Sequence, residues 1–253
     1  GSGLSSRVYK GVMASNPNEA VAVKVVTQEY VMNNKTLFAH EIETLERLKT
    51  QNRKELVKYF GHVKSGCDYI VSEYCNCTLA SQIIGGVCET TAHKYMKQIV
   101  AGIKVLYELG YVHRDIKPAN ILVKRNSDGS MRLLLTDFGF TTRKDDLGNF
   151  VCGTPRFIAP EMGERGKPQD LTDIWSLGVT LYNILVGSVY HVPDKVEPGV
   201  LFLTLPHKAR GEVTDSCWRL VRRMLTVDPR YRIKYQELFD DPWLNATEED
   251  LDN

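Results

Sequence analysis

The stretch YVHRDIKPANILV, residues 111–123, sets an acid, two cations, a proline and an amide close together between apolar runs. A lone cluster of this kind is ordinarily a solvated surface turn. Its flanks, Tyr111 and Val112 on one side and Ile121, Leu122 and Val123 on the other, are segments that favour burial. Charges carried between buried segments need partners. The reading therefore depends on what stands at workable spacing from Asp115, Lys117 and Asn120.

The chain that surrounds them is 253 residues long, enough for one large domain or two lobes sharing a cleft. Apolar residues make up 43% and charged residues 25%, a balance that builds a real core. The net charge of +1 gives no reason to expect a nucleic acid or an anionic membrane as partner. Six cysteines (67, 75, 77, 88, 152 and 217) show no paired metal-ligand spacing, and Cys75-Asn76-Cys77 is too tight for half of a zinc site. They read as reduced thiols of a cytoplasmic protein. The longest apolar-looking run, 174–190, contains Ser176, Thr180 and Asn183 and is short for a bilayer, so it predicts a buried core helix and no membrane span. No repeat or low-complexity linker interrupts the chain.

Periodicity divides the sequence unevenly. Residues 1–30 read as strands, with RVYKGVM alternating, NPNE (16–19) as a turn and AVAVKVV β-branched. Residues 35–49 place Leu37, Ile42, Leu45 and Leu48 near helical spacing. ELVKYFGHV and DYIVSEY, separated by KSGC, suggest a further hairpin. From Thr90 onward helices dominate, over 90–109, 172–187, 214–225 and 234–239. Two short β-like pieces, NILVK and RLLLTDF, are joined by an NSDG turn. The expectation is an α+β fold with a small antiparallel β lobe carrying one main helix, over residues 1–75, and a larger, mainly helical lobe over 76–253. A cleft lies between them.

Partners for the opening stretch stand on both sides of it. Gly1 and Gly3 fit the start of a G-x-G-x-x-G phosphate loop whose third glycine is replaced by Ser6, a weak signal alone. VAVK follows, ending at Lys24, and Glu41 lies in the predicted helix. His113-Arg114-Asp115, Lys117 and Asn120 match H-R-D-x-x-x-x-N; Asp137-Phe138-Gly139 and Ala159-Pro160-Glu161 follow. Five motifs in this order, spanning essentially the whole chain, resemble the eukaryotic protein kinase family.

That resemblance implies a two-lobed fold, ATP and Mg²⁺ as cofactors and a protein as substrate. It implies roles as well. Lys24, held by Glu41, reaches the ATP phosphates. Asp115 orients the acceptor hydroxyl and takes its proton, Lys117 neutralises the moving phosphoryl group, and Asn120 and Asp137 bind magnesium. Gly1, Gly3, Val8, Ala22 and Leu122 enclose the nucleotide. Ser72 is the gatekeeper before a hinge of Glu73, Tyr74 and Cys75, and Leu45, Tyr59, His113 and Phe138 stack as a spine. Glu161 pairs with Arg232, and Asp173 braces the catalytic-loop backbone. Lys117 and Thr154 resemble the Ser/Thr rather than the Tyr pattern. VYKG, VAVK and KTLFAHEI resemble the ULK (autophagy-initiating) kinases, and DPRYRIKYQELFDDPWL the calmodulin-dependent type as well.

The departures carry expectations of their own. Ser72 is small for a gatekeeper, which predicts a pocket behind the adenine site. Thr78 and Ala119 stand where arginine-directed kinases carry acids, which predicts no strict demand for basic substrates. RKDDLGNFV, 143–151, holds no hydroxyl, so no phosphate can form there. Arg114 precedes Asp115, and such kinases commonly pair that arginine with a phosphate. Asp145 or Asp146 would therefore have to supply the negative charge, or burial of Phe150 or a regulatory partner set that segment. Thr141, Thr142 and Thr154 remain as phosphosites, Thr154 reading better as a support of the catalytic site. The sequence begins at the first loop glycine, so the first strand reads as truncated, and the acidic tail TEEDLDN reads as frayed. A pseudokinase that binds ATP without turnover is the competing reading, and a small-molecule kinase of related fold a third.

Overall fold

The computed structural model describes residues 6–147, 151–162, 171–187 and 209–251. Strands β1 (Ser6–Met13) and β2 (Asn16–Val26) form a hairpin whose two-residue turn is Ala14-Ser15. The turn expected at 16–19 is instead an irregularity inside β2. Asn16 pairs with Met13 but Ala20 with Val12, so residues 17–19 are extra to the ladder. Pro17 has no N–H to give a ladder, which suits it to this bulge. Helix α1 (Gln28–Asn33) follows, capped by the Thr27 hydroxyl accepting from the Tyr30 amide at 3.3 Å. The sequence expectation of strand to residue 30 missed it because six residues are too few to show a helical period.

Helix α2 (Lys35–Gln51) buries Phe38, Glu41, Leu45 and Leu48 along one face, at the spacing of successive turns. β3 (Tyr59–Ser65) and β4 (Cys67–Glu73) complete a four-stranded antiparallel sheet, order β1-β2-β4-β3. They join through Gly66 alone, at a φ of 69° that suits glycine.

The larger lobe starts with β5 (Cys77–Thr78), α3 (Leu79–Gln82) and α4 (Glu89–Glu108). β6 (Tyr111–Val112), β7 (Ile121–Arg125), β8 (Met131–Leu135) and β9 (Thr142–Arg143) line its upper surface; β5-β7-β8 form one small sheet and β6-β9 another. Beneath lie α5 (Thr172–Val186), α6 (Asp215–Met224), α7 (Tyr235–Phe239), α8 (Pro242–Asn245) and α9 (Glu248–Leu251). All of α5 except Val186 is buried, which accounts for its all-round apolar sequence. Among the described residues no helix is long and apolar enough to cross a membrane. All six cysteines carry free thiols.

The tail is more ordered than its acidic composition suggested. Thr247 caps it by donating amide and hydroxyl to Asp250 at 2.8 and 2.6 Å, and Leu251 packs on the core. Two ties join the lobes behind the cleft. Val57 donates to the Leu135 carbonyl at 2.9 Å while Leu135 donates to Glu55 at 3.0 Å. The Glu73 carboxylate accepts from the Lys58 amide at 2.8 Å and from Lys124 of β7 at 2.6 Å.

Candidate active site

The loop between β6 and β7 holds the charges of the opening stretch. Ile116, fully buried, anchors it in the core, and Pro118 starts a short 3-10 turn ending at Asn120. The loop hangs from α5: Asp173, 1% exposed, accepts the His113 and Arg114 amides at 2.7 Å each. Arg114 sits at φ 69°, a left-handed conformation costing a non-glycine residue on the order of 1–3 kcal/mol. Burial raises the Asp173 pKa against the pull of His113 and the two amides. Two hydrogen bonds of about 0.5–1.5 kcal/mol each are enough to hold Arg114 there.

Asp115, Lys117, Asn120 and Thr154 converge. Asp115 Oδ1 accepts from the Thr154 hydroxyl at 2.8 Å; Oδ2 accepts from Lys117 Nζ at 2.7 Å and Asn120 Nδ2 at 2.8 Å. Lys117 also donates to Thr154 Oγ1 at 2.5 Å. Gly153 lies so close that an added Cβ would come within 2.7 Å of the Arg114 carbonyl, so only glycine lets this segment lie on the loop.

Above the cleft, Lys24 of β2 donates to Glu41 of α2 at 2.6 Å and to Asp137 at 3.3 Å. Burial works against the Lys24 charge, but the Glu41 and Asp137 carboxylates outweigh it and raise the ammonium's pKa. Burial likewise opposes the Asp137 charge, and Lys24, His113 and Lys117 more than offset it, so its pKa is lowered. Asp137 takes φ 64° and its side chain stays 46% exposed, turned into the cleft. Phe138 beside it is buried against the His113 ring, centroids 5.4 Å apart, in the same core as Leu45 and Tyr59.

Val8, Ala22, Ser72 and Leu122 lie on the strands that border the cleft. Val8 pairs with Lys24, Ala22 with Ser72, and Leu122 with Thr78. Cys75 is half-buried, and burial and the Glu73 charge push its thiol up to about 11. Gly1, Gly3 and Phe150 lie outside the described residues. The Glu161–Arg232 pair is bidentate at 2.6 and 2.8 Å, with the guanidinium fully buried.

The activation segment departs from expectation. Asp145 is taken by Arg143, whose Nε and Nη2 donate to its two oxygens at 2.9 Å. A local pair therefore occupies the carboxylate that was one candidate to balance Arg114. Lys144 Nζ stands 3.2 Å over the Tyr107 ring, and the Thr142 hydroxyl donates to the Asp146 carbonyl at 2.7 Å. Thr141 is buried and its hydroxyl donates to the His113 carbonyl at 3.4 Å, which disfavours it as a phosphosite. Glu73, expected only as a hinge residue, also joins the lobes through its side-chain pair to Lys124, 51 residues away, which no local pattern announces.

A family model described as "Protein kinase domain" matches residues 1–244. The chain belongs to the protein kinase family. This kinase chain is 30% identical, over 96% of its length, to CBL-interacting serine/threonine-protein kinase 16 of Arabidopsis thaliana. It is 29% identical over 99% to serine/threonine-protein kinase atg1 of Dictyostelium discoideum, and 28% over 98% to serine/threonine-protein kinase ULK1 of Homo sapiens. The kinase chain spans 55%, 39% and 25% of those relatives, respectively. The resemblance of its upper lobe to the ULK group thus extends to the whole domain.

Proposed function

We propose that this chain is the catalytic domain of a protein serine/threonine kinase, transferring the γ-phosphoryl group of Mg-ATP to a protein hydroxyl. Residues 1–75 form its upper lobe and hinge, and 76–253 its lower lobe. The observation that carries the reading is the convergence of Asp115, Lys117, Asn120 and Thr154 facing the Lys24–Glu41–Asp137 chain. An ion pair or a polar turn alone would be unremarkable. A base, a phosphate-directed cation and two oxygen donors around one cleft meet the needs of phosphoryl transfer.

The donor set fits magnesium. Asn120 spends both N–H groups of its side-chain amide on the Asp115 carbonyl and carboxylate, at 2.9 and 2.8 Å, which leaves its amide oxygen for a cation. Asp137 offers a carboxylate to the cleft. Among the described residues no cluster of three or more His, Cys, Asp or Glu could hold a metal. Two protein oxygens, with phosphates and water completing the shell, are the usual arrangement for Mg²⁺. When bound, the ion offsets phosphate charge. Lys24 then binds phosphate oxygens, fixed by Glu41. Asp115 aligns the acceptor hydroxyl and accepts its proton, and Thr154 and Lys117 hold the carboxylate in place. Val8, Ala22 and Leu122 sandwich the adenine, the Glu73 and Cys75 backbone reads its edge, and Ser72 leaves space behind it. Gly1 and Gly3 cover the phosphates.

With no hydroxyl over 143–151, we infer that the segment is set without its own phosphate. Its first part is tied down by Arg143–Asp145 and Lys144–Tyr107; the Asp146 carboxylate, burial of Phe150 or a regulatory partner is left to set the rest. The thiols suit a reducing, cytoplasmic compartment, and the ULK-like motifs favour the autophagy-initiating branch. The test is phosphate transfer from ATP to a generic acceptor by the phosphatase-treated chain. Transfer abolished by Asp137→Ala supports the reading. Transfer that survives the substitution, or none at all despite nucleotide raising the melting temperature, overturns it.

A further inference from the structure

Resting on that reading, the structure points to the class of acceptor. The segment beside the Asp115 cluster, 151–162, carries two charged residues, Arg156 and Glu161. Both Glu161 oxygens are taken by Arg232. Arg156 is exposed, with no hydrogen bond or ion pair among the described residues. The uncompensated charge of this surface is therefore a guanidinium.

Its position is well defined. Arg156 sits in the 3-10 turn Pro155–Phe157, immediately after Thr154, whose hydroxyl donates to Asp115. Phe157 is buried, donates its amide to the Thr154 carbonyl at 2.8 Å, and has its own carbonyl held by Ser176 of α5 at 2.8 Å. Two residues of chain cover at most about 7 Å, so Arg156 projects from a pinned turn close to where the acceptor hydroxyl must sit. An extended acceptor advances about 3.3 Å per residue, which brings its immediate neighbours past the guanidinium.

Among the described residues no carboxylate is paired with Arg156: both oxygens of Asp115 are engaged within its own cluster, those of Asp145 by Arg143, and the exposed Asp146 makes no ion pair with it. We propose that Arg156 is a specificity-determining residue that selects acceptors carrying an anionic side chain within two residues of the phosphorylated hydroxyl. A carboxylate and a phosphoryl group are both matched by a guanidinium.

The experiment uses the chain with Mg-ATP and seryl peptides bearing Asp, phosphoserine, Ala or Lys at each of the two positions on either side of the acceptor. The expected result is an Asp- or phosphoserine-to-Lys ratio in kcat/KM of about three- to tenfold at one position, since a partly exposed charge pair contributes modestly. The two anionic arms tell carboxylate from phosphoryl selection. Arg156→Lys should keep the sign of the preference and Arg156→Glu should invert it. Each ratio is taken within one variant, so a change in overall activity cannot imitate the effect. Equal use of all peptides, or an acidic preference that survives Arg156→Glu, overturns the inference and leaves the kinase reading intact. No transfer to any peptide by the unaltered chain overturns both.

Discussion

Below the cleft, the loop carrying Asp115 is suspended from Asp173 by two main-chain hydrogen bonds and locked by its own Asn120 and by Thr154 of a further segment. Above it, Lys24 is steadied by Glu41, on a helix whose position is set by packing. The lower wall is thus part of the fold's interior. The upper wall is an ion pair whose Lys24 side chain is 25% exposed. Damage to the lower wall should cost stability as well as chemistry, and removal of the upper ion pair as a whole should cost chemistry alone.

The largest effect expected is on the reacting carboxylate itself. Asp115→Asn keeps the shape but replaces one acceptor oxygen by a donor amide and removes the proton acceptor, so kcat should fall by about 10²–10⁴-fold. The melting temperature should fall as well, by a few degrees, because Lys117 loses its counter-charge and one of the three donors its acceptor. Asp173→Ala is the sharper test of the contrast. It orphans two buried amides at about 1–3 kcal/mol each and releases the left-handed Arg114. A loss of about 3 kcal/mol lowers the melting temperature by roughly 6–12 °C in a chain of this size, with transfer falling alongside. An Asp173→Ala variant that melts with the unaltered chain would show that the loop does not depend on α5.

The upper wall should behave otherwise. Lys24→Met removes the phosphate ligand and should cut transfer by about a hundredfold, near 2.7 kcal/mol of barrier. Lys24→Met alone leaves the buried Glu41 carboxylate without its cation and should cost stability too. Replacing the pair as a whole, Lys24→Met with Glu41→Leu, is often neutral. That double variant should therefore melt within about 2 °C of the unaltered chain, a shift of less than about 1 kcal/mol here. Glu41→Gln leaves the lysine in place and should cost about tenfold, because it disturbs orientation only. A large stability loss in the double variant Lys24→Met/Glu41→Leu would erase the distinction between the walls.

What the sequence disclosed follows the same division. The catalytic loop, the Asp137 motif and the long helices were legible because each is written in contiguous residues or in a period sustained over several turns. The pairings Lys24–Glu41, Glu161–Arg232 and Asp173 with the loop backbone span 17, 71 and about 60 residues, and the family resemblance alone made them legible. Other contacts left no trace. Glu73 meets Lys124 across 51 residues, and Glu89 gathers Thr214 and Trp243 across 125 and 154. No local pattern encodes such meetings, since they depend on how elements pack. The bulge at Pro17 and the one- or two-turn helices α1, α3, α8 and α9 were missed because they are too short for periodicity to register.

The smallest expected effect belongs to neither wall and shows whether the lower lobe responds to pH away from the cleft. His93 of α4 is 1% exposed, its ring edge-on to Trp243 with centroids 5.1 Å apart. Burial, and next the charge of Lys97, lower its pKa, so the folded protein holds it neutral. The unfolded chain takes up that proton near pH 6.5. Below this value the unfolded state binds more protons than the folded one, so stability is complete above it and declines as pH falls, until the folded imidazole protonates too. His93→Phe keeps the ring packing and removes the titration. On acidification from pH 7.5 to 5.5 the unaltered chain should lose more melting temperature than the variant, by a few degrees at most. Transfer per folded molecule should follow the same pH profile in both, because His93 reaches no group in the cleft. Parallel melting curves would mean that the fold accepts the imidazolium and that the α4–α8 contact does not depend on its charge.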